Sequence, residues 1–502
     1  MAKAKKHLAL ALALVTLFAS LASCSESSGN SGAEAEQQAA PTATVQDAAA
    51  EIAEEEETAI TDDLPEKNWD GVEFMIYNGN VLTNTWFLMN YVNFEEDSPE
   101  ALESAVYRRN LAIEERFNIN ILETVAETGT IKTDVMAGAS DFDIVQIDGT
   151  TSFSLAQQGF LYDQLKLSYI DLTKPYWDHN VVKFLTFAGK LYFTAGNFGT
   201  THHDGLKTLF FNKGLVENYH LDDPYDCVRE GTWTLEKFGS MIQDVTVDLD
   251  GNGVFTEADQ YGLLSQNGSL YPCLMFGLGE LFITTGDDGK PVTSYYNERF
   301  VSGFEKINDI CHANGDTVMF DARGDKNGSG LGDRIQEVMF PNNQALFWIE
   351  NLAWSKALRD MEMDFGIVPP PKLNEDQDTY YNICSSGFLG TSIPVCTPDL
   401  DRSCIVLEAL NSMSGDFINA YQDVILKSKL SRDTESGEMI DIIFSNVMYD
   451  PAWNFNLSGC VSSLSNLLVS GNSDVASYYT KNLKVMDKAL SNAYEKISAV
   501  DH

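Results

Sequence analysis

Apolar positions along this chain change period in a repeating order. Val72 to Tyr77 is a short apolar stretch that reads as a strand, stopped by Asn78-Gly79-Asn80. Ser98-Pro99 then opens a helix, with Ser98 at the N-cap and Pro99 at the first helical position. Leu102, Ala105, Val106, Ile113 and Phe117 supply its inward stripe, and Asn118 ends it. Ile119 to Leu122 reads as a second strand, and Asp141 to Ile147 as a third, closed by Asp148-Gly149. Gly189 to Thr194 and Thr208 to Phe211 are further strand candidates. The second of these is turned by Asn212-Lys213-Gly214. Gly231-Thr232-Trp233-Thr234 opens another helix, with Thr234 as N-cap and Glu236 in the first turn, where negative charge suits the helix dipole. Phe238, Met241, Ile242 and Val245 follow at helical spacing. Strands alternating with helices predict an α/β fold with a mainly parallel sheet, in which ligands bind beyond the carboxyl ends of strands. Tyr77–Asn80 and Ile147–Thr151 are two such ends.

The amino terminus is of another kind. Lys3, Lys5 and Lys6 precede the short apolar run Leu8 to Phe18, and Leu21-Ala22-Ser23-Cys24 has the form of a bacterial lipobox. The run is too short for a permanent span, so lipid on Cys24 is the expected anchor. Residues 24–67 are rich in Ser, Ala, Gly, Gln and Glu and read as a disordered acidic tether, with a reach of roughly 35–40 Å. At 502 residues the chain is long enough for two domains with substantial cores. Net charge is −41, and removing residues 1–23, which hold three Lys and no acid, takes it to −44. Such a chain repels nucleic acid and anionic lipid surfaces. Of eight cysteines, seven remain after Cys24. An odd number without C-x-x-C spacing argues against a disulfide framework and against a zinc site.

Several of these segments, in their order, resemble the extracellular solute-binding proteins of ABC importers, the group that includes maltose-binding protein. The "YNK"-like strand Phe211-Asn212-Lys213, the Thr232-Trp233 helix, the D-x-D-G-N-G loop from Asp248 and the Tyr261-Gly262 pair follow one another as in that family. RRNLAIEERFNINI, DFDIV and Gly189-Lys190-Leu191-Tyr192 also fit. So do Phe340 to Leu346, with Asn343 or Gln344 where Gly is usual, and Gly366 to Pro371. The resemblance implies an α/β, two-lobe periplasmic-binding-protein-like fold, each lobe a mainly parallel sheet flanked by helices, with about three interlobe crossovers. It divides the chain into a lipoprotein signal peptide (1–23), the tether (24–67), the first part of lobe 1 (68–196) and a hinge crossover (197–204). Lobe 2 (205–365) follows, then a return through the hinge into lobe 1 (366–425) and a C-terminal helical segment mainly on lobe 2 (426–502). It also implies reversible binding without chemistry, a monomer, ABC permease subunits as partners, and no contact with nucleic acid.

The chemistry-bearing residues fall into two groups. Asp248, Asp250, Asn252, the Val254 carbonyl and Asp259 occupy positions 1, 3, 5, 7 and 12 of a twelve-residue calcium loop, with Gly253 at the turn. Position 12 is Asp instead of Glu, and no clear exiting helix follows, so the competing reading is an empty Asx-rich turn. The second group would recognise a sugar, whose C–H faces pack on aromatic rings and whose hydroxyls need carboxylates and amides. Trp86 and Trp354 are the leading platforms among Trp86, Trp348, Trp354 and Trp453; Asn80, Asp148, Asn197 and Glu350 are the polar candidates. Trp177 and Trp233 are assigned to packing and helix initiation. His202-His203-Asp204 reads as a polar hinge loop, and Arg323-Gly324-Asp325 with Gly328, Gly330 and Gly332 as chance. A glycoside-acting enzyme would need two carboxylates roughly 5–10 Å apart across a sugar subsite. Acidic residues abound, but no H-E-x-x-H or G-x-S-x-G signature occurs. Binding of peptides or other non-sugar solutes competes with the sugar reading, and a structural lipoprotein would not need two lobes with several crossovers.

Overall fold

The computed structural model describes residues 62–79, 90–312, 318–320, 335–358, 361–426 and 434–502. The chain divides into two units, Met1–Ala59 and Ile60–His502; the first, with Cys24, lies outside the described residues. Among the described residues of the second unit, thirteen strands follow one another. β1 (Val72–Asn78), β2 (Ile119–Val125) and β3 (Ile144–Asp148) come first. β4 (Lys207–Asn212) and β5 (Tyr261–Ser265) precede the hairpin of β6 (Ile283–Thr285) and β7 (Pro291–Thr293). β8 (Val318–Phe320), β9 (Ala345–Asn351), β10 (Phe365–Val368), β11 (Asn382–Ile383), β12 (Leu389–Ser392) and β13 (Val447–Met448) complete the set.

These strands build two main sheets, in the orders β12-β3-β1-β2 and β10-β4-β9-β5-β8. Each sheet has one reversed strand. β12 runs antiparallel to β3, and β4 antiparallel to both β9 and β10. The reason is topological: β4 and β12 are the strands that enter a lobe from the other one, so they start at the interlobe end where the rest finish. The sheets are otherwise parallel. Residues 195–206 join lobe 1 to lobe 2, and residues 369–388 join lobe 2 back to lobe 1. Helix Gly415–Leu426 packs on helix Ala101–Phe117 of lobe 1, whereas helix Thr434–Ser445 packs on β10 of lobe 2. These two helices therefore pack on different lobes, and residues 427–433 between them lie outside the described residues.

Local chemistry explains the boundaries. Thr234 accepts a hydrogen bond from Lys237 N and caps helix Leu235–Asp244, whose stripe Phe238, Met241 and Ile242 is buried in lobe 2. Asp399 likewise caps helix Leu400–Ser412 through Arg402 N. Asn343 has φ 62°, the left-handed conformation that Gly usually supplies, and its side chain accepts from Asn212 Nδ2. Three sequence expectations need correction. The first long helix starts at Ala101 and not at Pro99; Ser98 instead accepts from Glu100 N and donates to Glu103. Gly189–Thr194 forms only isolated bridges, because Lys190 pairs back with Phe187 across the turn at Ala188-Gly189 while Thr194 pairs with Thr391 of β12. Residues 62–67, assigned to the tether, begin the ordered fold: Arg116 makes a two-pronged bond to Asp62, and Lys174 pairs with Asp63. The cysteines among the described residues are unpaired, and all but half-exposed Cys396 are buried.

Candidate functional site

The carboxyl ends of β1, β2 and β3 in lobe 1, and of β5, β9 and β10 in lobe 2, point to the crossovers, since β4 and β12 begin there. On the lobe 2 side the strand ends carry a buried polar group. Lys207, at the head of β4, donates to Ser269 Oγ at 2.8 Å and lies 3.7 Å from Glu350 Oε1. Glu350 Oε1 also accepts from Asn351 N. Lys207, Ser269, Glu350 and Asn351 are each under 5% exposed. A lysine and a glutamate this deep are kept only when paired and hydrogen-bonded, so the cluster offers fixed donors and acceptors at a strand end.

On the lobe 1 side Asp148 ends β3 and caps the helix Gly149–Ala156, accepting from Thr151 N and Thr151 Oγ1. The lobes meet at this point. A Cβ on Gly149 would lie 2.6 Å from Asn454 O, and Phe153 stacks on Phe455 with centroids 4.3 Å apart. Asn454 and Phe455 belong to lobe 2, because Asp450 just before them accepts from Phe282 N and Ile283 N. The described conformation is therefore closed at the end of β3.

The first crossover is denser than a polar loop. His202-His203-Asp204 forms most of a short helix, Thr201–Asp204, in which His202 and Asp204 are buried and His203 is half-buried. Lys356 of lobe 2 donates to both oxygens of Asp204, and Tyr421 of lobe 1 donates to Oδ1 at 2.7 Å. The imidazoles lie 3.9 Å apart, and His203 also faces Tyr421 and Phe444. Burial drives the His202 pKa down to about 4, and burial together with His202 drives His203 well below the usual range. Burial raises Asp204, against the pull of Lys356 and Tyr421. Behind this helix a cavity of about 170 Å³ is lined by Trp177, Asp178, Asn197, His202, His203 and Tyr449. Arg109 is buried in lobe 1 and donates to Phe198 O of the crossover, to Val92 O and to Ser414 Oγ; burial pulls its pKa down to about 9.

The site residues expected from sequence are thus spread over several places. Asp148 and Glu350 stand at strand ends in opposite lobes, and Asn197 lines the hinge cavity. Trp354 is buried in the turn Leu352–Trp354, with its ring 5.2 Å from that of Trp348. Asn80 and Trp86 lie outside the described residues, as do Arg323 to Gly332. Trp453 donates from its indole to Cys384 O beside the second crossover. Trp177 and Trp233 are buried and donate to Glu408 and to Pro369 O. Sequence reasoning missed Lys207, Ser269, Asn454 and Phe455. A lone lysine heading the apolar run Leu209–Phe211 was the available signal, since a buried lysine requires partners.

The acidic loop holds one oxygen each from Asp248, Asp250 and Asp259 within 4.8 Å of one another. Backbone N–H groups of Gly251 and Gly253 donate to Asp248, those of Leu249 and Thr256 to Asp259, and that of Val254 to Asn252 Oδ1. Donation from Gly253 holds the Asp248 carboxyl below the usual range. The donor set, hard oxygens at EF-hand spacing, suits calcium.

Two α/β lobes with strand ends facing each other across several crossovers define the fold of the two-lobe periplasmic solute-binding proteins. Among solved structures it is similar to the GacH receptor of Streptomyces glaucescens, known unliganded and with acarbose. That match has TM-score 0.51 at 12% identity, over 86% of this chain and 100% of that one. A cyclo/maltodextrin-binding protein complexed with maltotetraose matches with TM-score 0.53 at 12% identity, over 85% of this chain and 96% of that one. The ABC substrate-binding protein Lmo0181 from Listeria monocytogenes, in complex with cycloalternan, matches with TM-score 0.51 at 14% identity, over 85% and 98%. No family model and no curated protein matches the sequence. Among the described residues no helix is long and apolar enough to cross a membrane.

Proposed function

We propose that this chain is an extracytoplasmic solute-binding protein, anchored by lipid on Cys24, that captures an oligosaccharide between its lobes and delivers it to an ABC permease. The observation that carries the reading is the facing of strand ends from two lobes across several crossovers, in a fold whose neighbours were solved with acarbose, maltotetraose and cycloalternan. In this reading Trp86 and Trp354 stack on sugar rings. Asp148, Asn80, Asn197 and Glu350 exchange hydrogen bonds with its hydroxyls. Calcium fills the Asp248–Asp259 loop and has a structural role. The chain acts as a monomer, and the tether lets it reach the permease.

The test is calorimetric titration against a panel of oligosaccharides, peptides and polyamines. An oligosaccharide should bind, and Trp86→Ala and Glu350→Gln should each weaken it at least about tenfold, a loss of 1.4 kcal/mol. Trp354→Phe keeps the packing on Trp348 and separates stacking from stability. Binding of peptides alone would remove the carbohydrate reading, and release of reducing sugar would replace it by an enzyme. Mass spectrometry of the mature amino terminus reports the lipid: an unmodified Cys24, or cleavage elsewhere, removes the anchor.

A further inference from the structure

We propose that the last residues of the chain, from Lys488 to His502, are a latch that holds the two lobes in their closed relation. The inference rests on the reading that the lobes move, and it concerns what sets their equilibrium. The C-terminal helix Val475–Ser498 is 24 residues long, about 36 Å at 1.5 Å per residue. Its first half belongs to lobe 2. Val475 and Met486 lie in that lobe's core, Tyr479 stacks on Tyr296 at 4.1 Å, and Asp487 accepts from Thr293 of β7.

Its end belongs to lobe 1. Met486, Leu490, Ala493 and Ile497 form one buried stripe. The last three join a cluster shared by Leu185, Phe187 and Tyr192 of lobe 1 and Phe210 and Trp348 of lobe 2, so the polar contacts fix the end to lobe 1. Lys190 Nζ donates to the carbonyls of Ile497, Ser498 and Val500. The last carbonyls of a helix lack intrahelical partners, and an ammonium there supplies both donors and the favourable sign of charge. His502 Nε2 lies 2.7 Å from Gly159 O, and its ring faces Tyr162 edge-on. One rod is thus fixed at both ends to different lobes, in addition to the covalent crossovers. Rotation of the lobes must break the Lys190 and His502 contacts or bend the helix. Release must also lift Leu490, Ala493 and Ile497 from the apolar cluster they join, so the latch is held by an apolar stripe as well as by its polar end.

Three variants test this without solute: a chain ended after Asp487, Lys190→Gln, and Lys190→Arg, which keeps the charge. Small-angle scattering and hydrogen exchange are measured on each. The truncation and Lys190→Gln should increase the radius of gyration and speed exchange around Gly149 and Asn454, where the lobes meet. Lys190→Arg should restore much of the wild-type behaviour. If a solute from the panel binds, its affinity should fall about fivefold when the closed population drops from about one half to one tenth. Faster exchange confined to the helix end, with unchanged dimensions, would overturn the latch and leave solute binding untouched. Failure of every panel solute would instead count against the functional reading, since the scattering result does not depend on it.

Discussion

His202 makes the stability of this fold pH-dependent in a direction that can be worked out. Its ring is buried in the first crossover with His203, and the charged and titratable groups around the pair are Asp178, Asp204, Lys356, Tyr421 and Tyr449. Burial lowers its pKa from 6.5 to about 4. A base with a depressed folded pKa binds its proton more readily when unfolded. Its contribution is therefore intact above pH 6.5 and is lost as pH falls toward 4. At pH 5 the loss comes to about 2 kcal/mol, from 1.36 kcal/mol per pKa unit and the two protonation fractions. His203 acts in the same direction. Urea unfolding of wild type and His202→Gln at pH 7.5, 6 and 5 isolates this group, because the carboxylates are common to both proteins. The glutamine variant should be less stable at pH 7.5, through lost packing. Its deficit should shrink by about 2 kcal/mol at pH 5. A deficit independent of pH would show that His202 is not held neutral by burial, and the reasoning would fail.

Two other outcomes follow from buried charge and from the acidic loop. Lys356→Met leaves the buried Asp204 carboxylate with the Tyr421 hydroxyl but without its ammonium, and should cost about 3–5 kcal/mol in thermal or urea unfolding. The double variant with Asp204→Asn should recover most of that loss; no recovery would mean that the lysine stem, and not the ion pair, carries the effect. Calcium at a hundredfold excess over its Kd should stabilise the fold by about 2.7 kcal/mol. Asp248→Ala should abolish that gain, and indifference of the melting temperature to a chelator would mark the loop as an empty turn.

Much of the fold was legible because local signals and global placement agree. Thr234 before an amphipathic stripe and an Asn at a turn that needs positive φ both do what their chemistry demands. The strand at Gly189–Thr194 failed because its apolar run is buried by irregular bridges, which periodicity cannot tell from a ladder. Site residues were harder. Asp148 could be placed at a strand end, since the alternation of strands and helices puts it there, whereas Glu350 was only a polar neighbour of Trp354 in sequence. The pairing of Lys207 with Ser269 and Glu350 joins residues 62 and more positions apart, and the approach of Asn454 to Gly149 spans both lobes. Such meetings depend on how the crossovers fold back, and no local pattern encodes that. The histidines show a different limit: adjacent polar letters read as a polar hinge loop, yet His202 is buried and His203 packs between it, Tyr421 and Phe444.

Gly149 offers the most direct test of whether the lobes move. It is the first residue of helix Gly149–Ala156, follows the cap Asp148, and is not among the positions with positive φ. Alanine there suits lobe 1 taken alone, and inside a helix it is favoured over glycine by up to about 1 kcal/mol. Across the interface it is not tolerated. The added Cβ would lie 2.6 Å from the Asn454 carbonyl oxygen and 3.4 Å from its carbon, and backbone there cannot rotate aside as a side chain could. Two outcomes are therefore distinguishable. If the lobes are rigidly joined, Gly149→Ala strains the fold and the melting temperature falls. If they rotate about the crossovers, the clash is relieved by opening: the melting temperature of the solute-free protein is unchanged or higher, the radius of gyration grows, and solute affinity drops because closure is obstructed. Opening the lobes with retained stability is the expected result, and a destabilised protein of unchanged dimensions would argue that the two sheets form one fixed body.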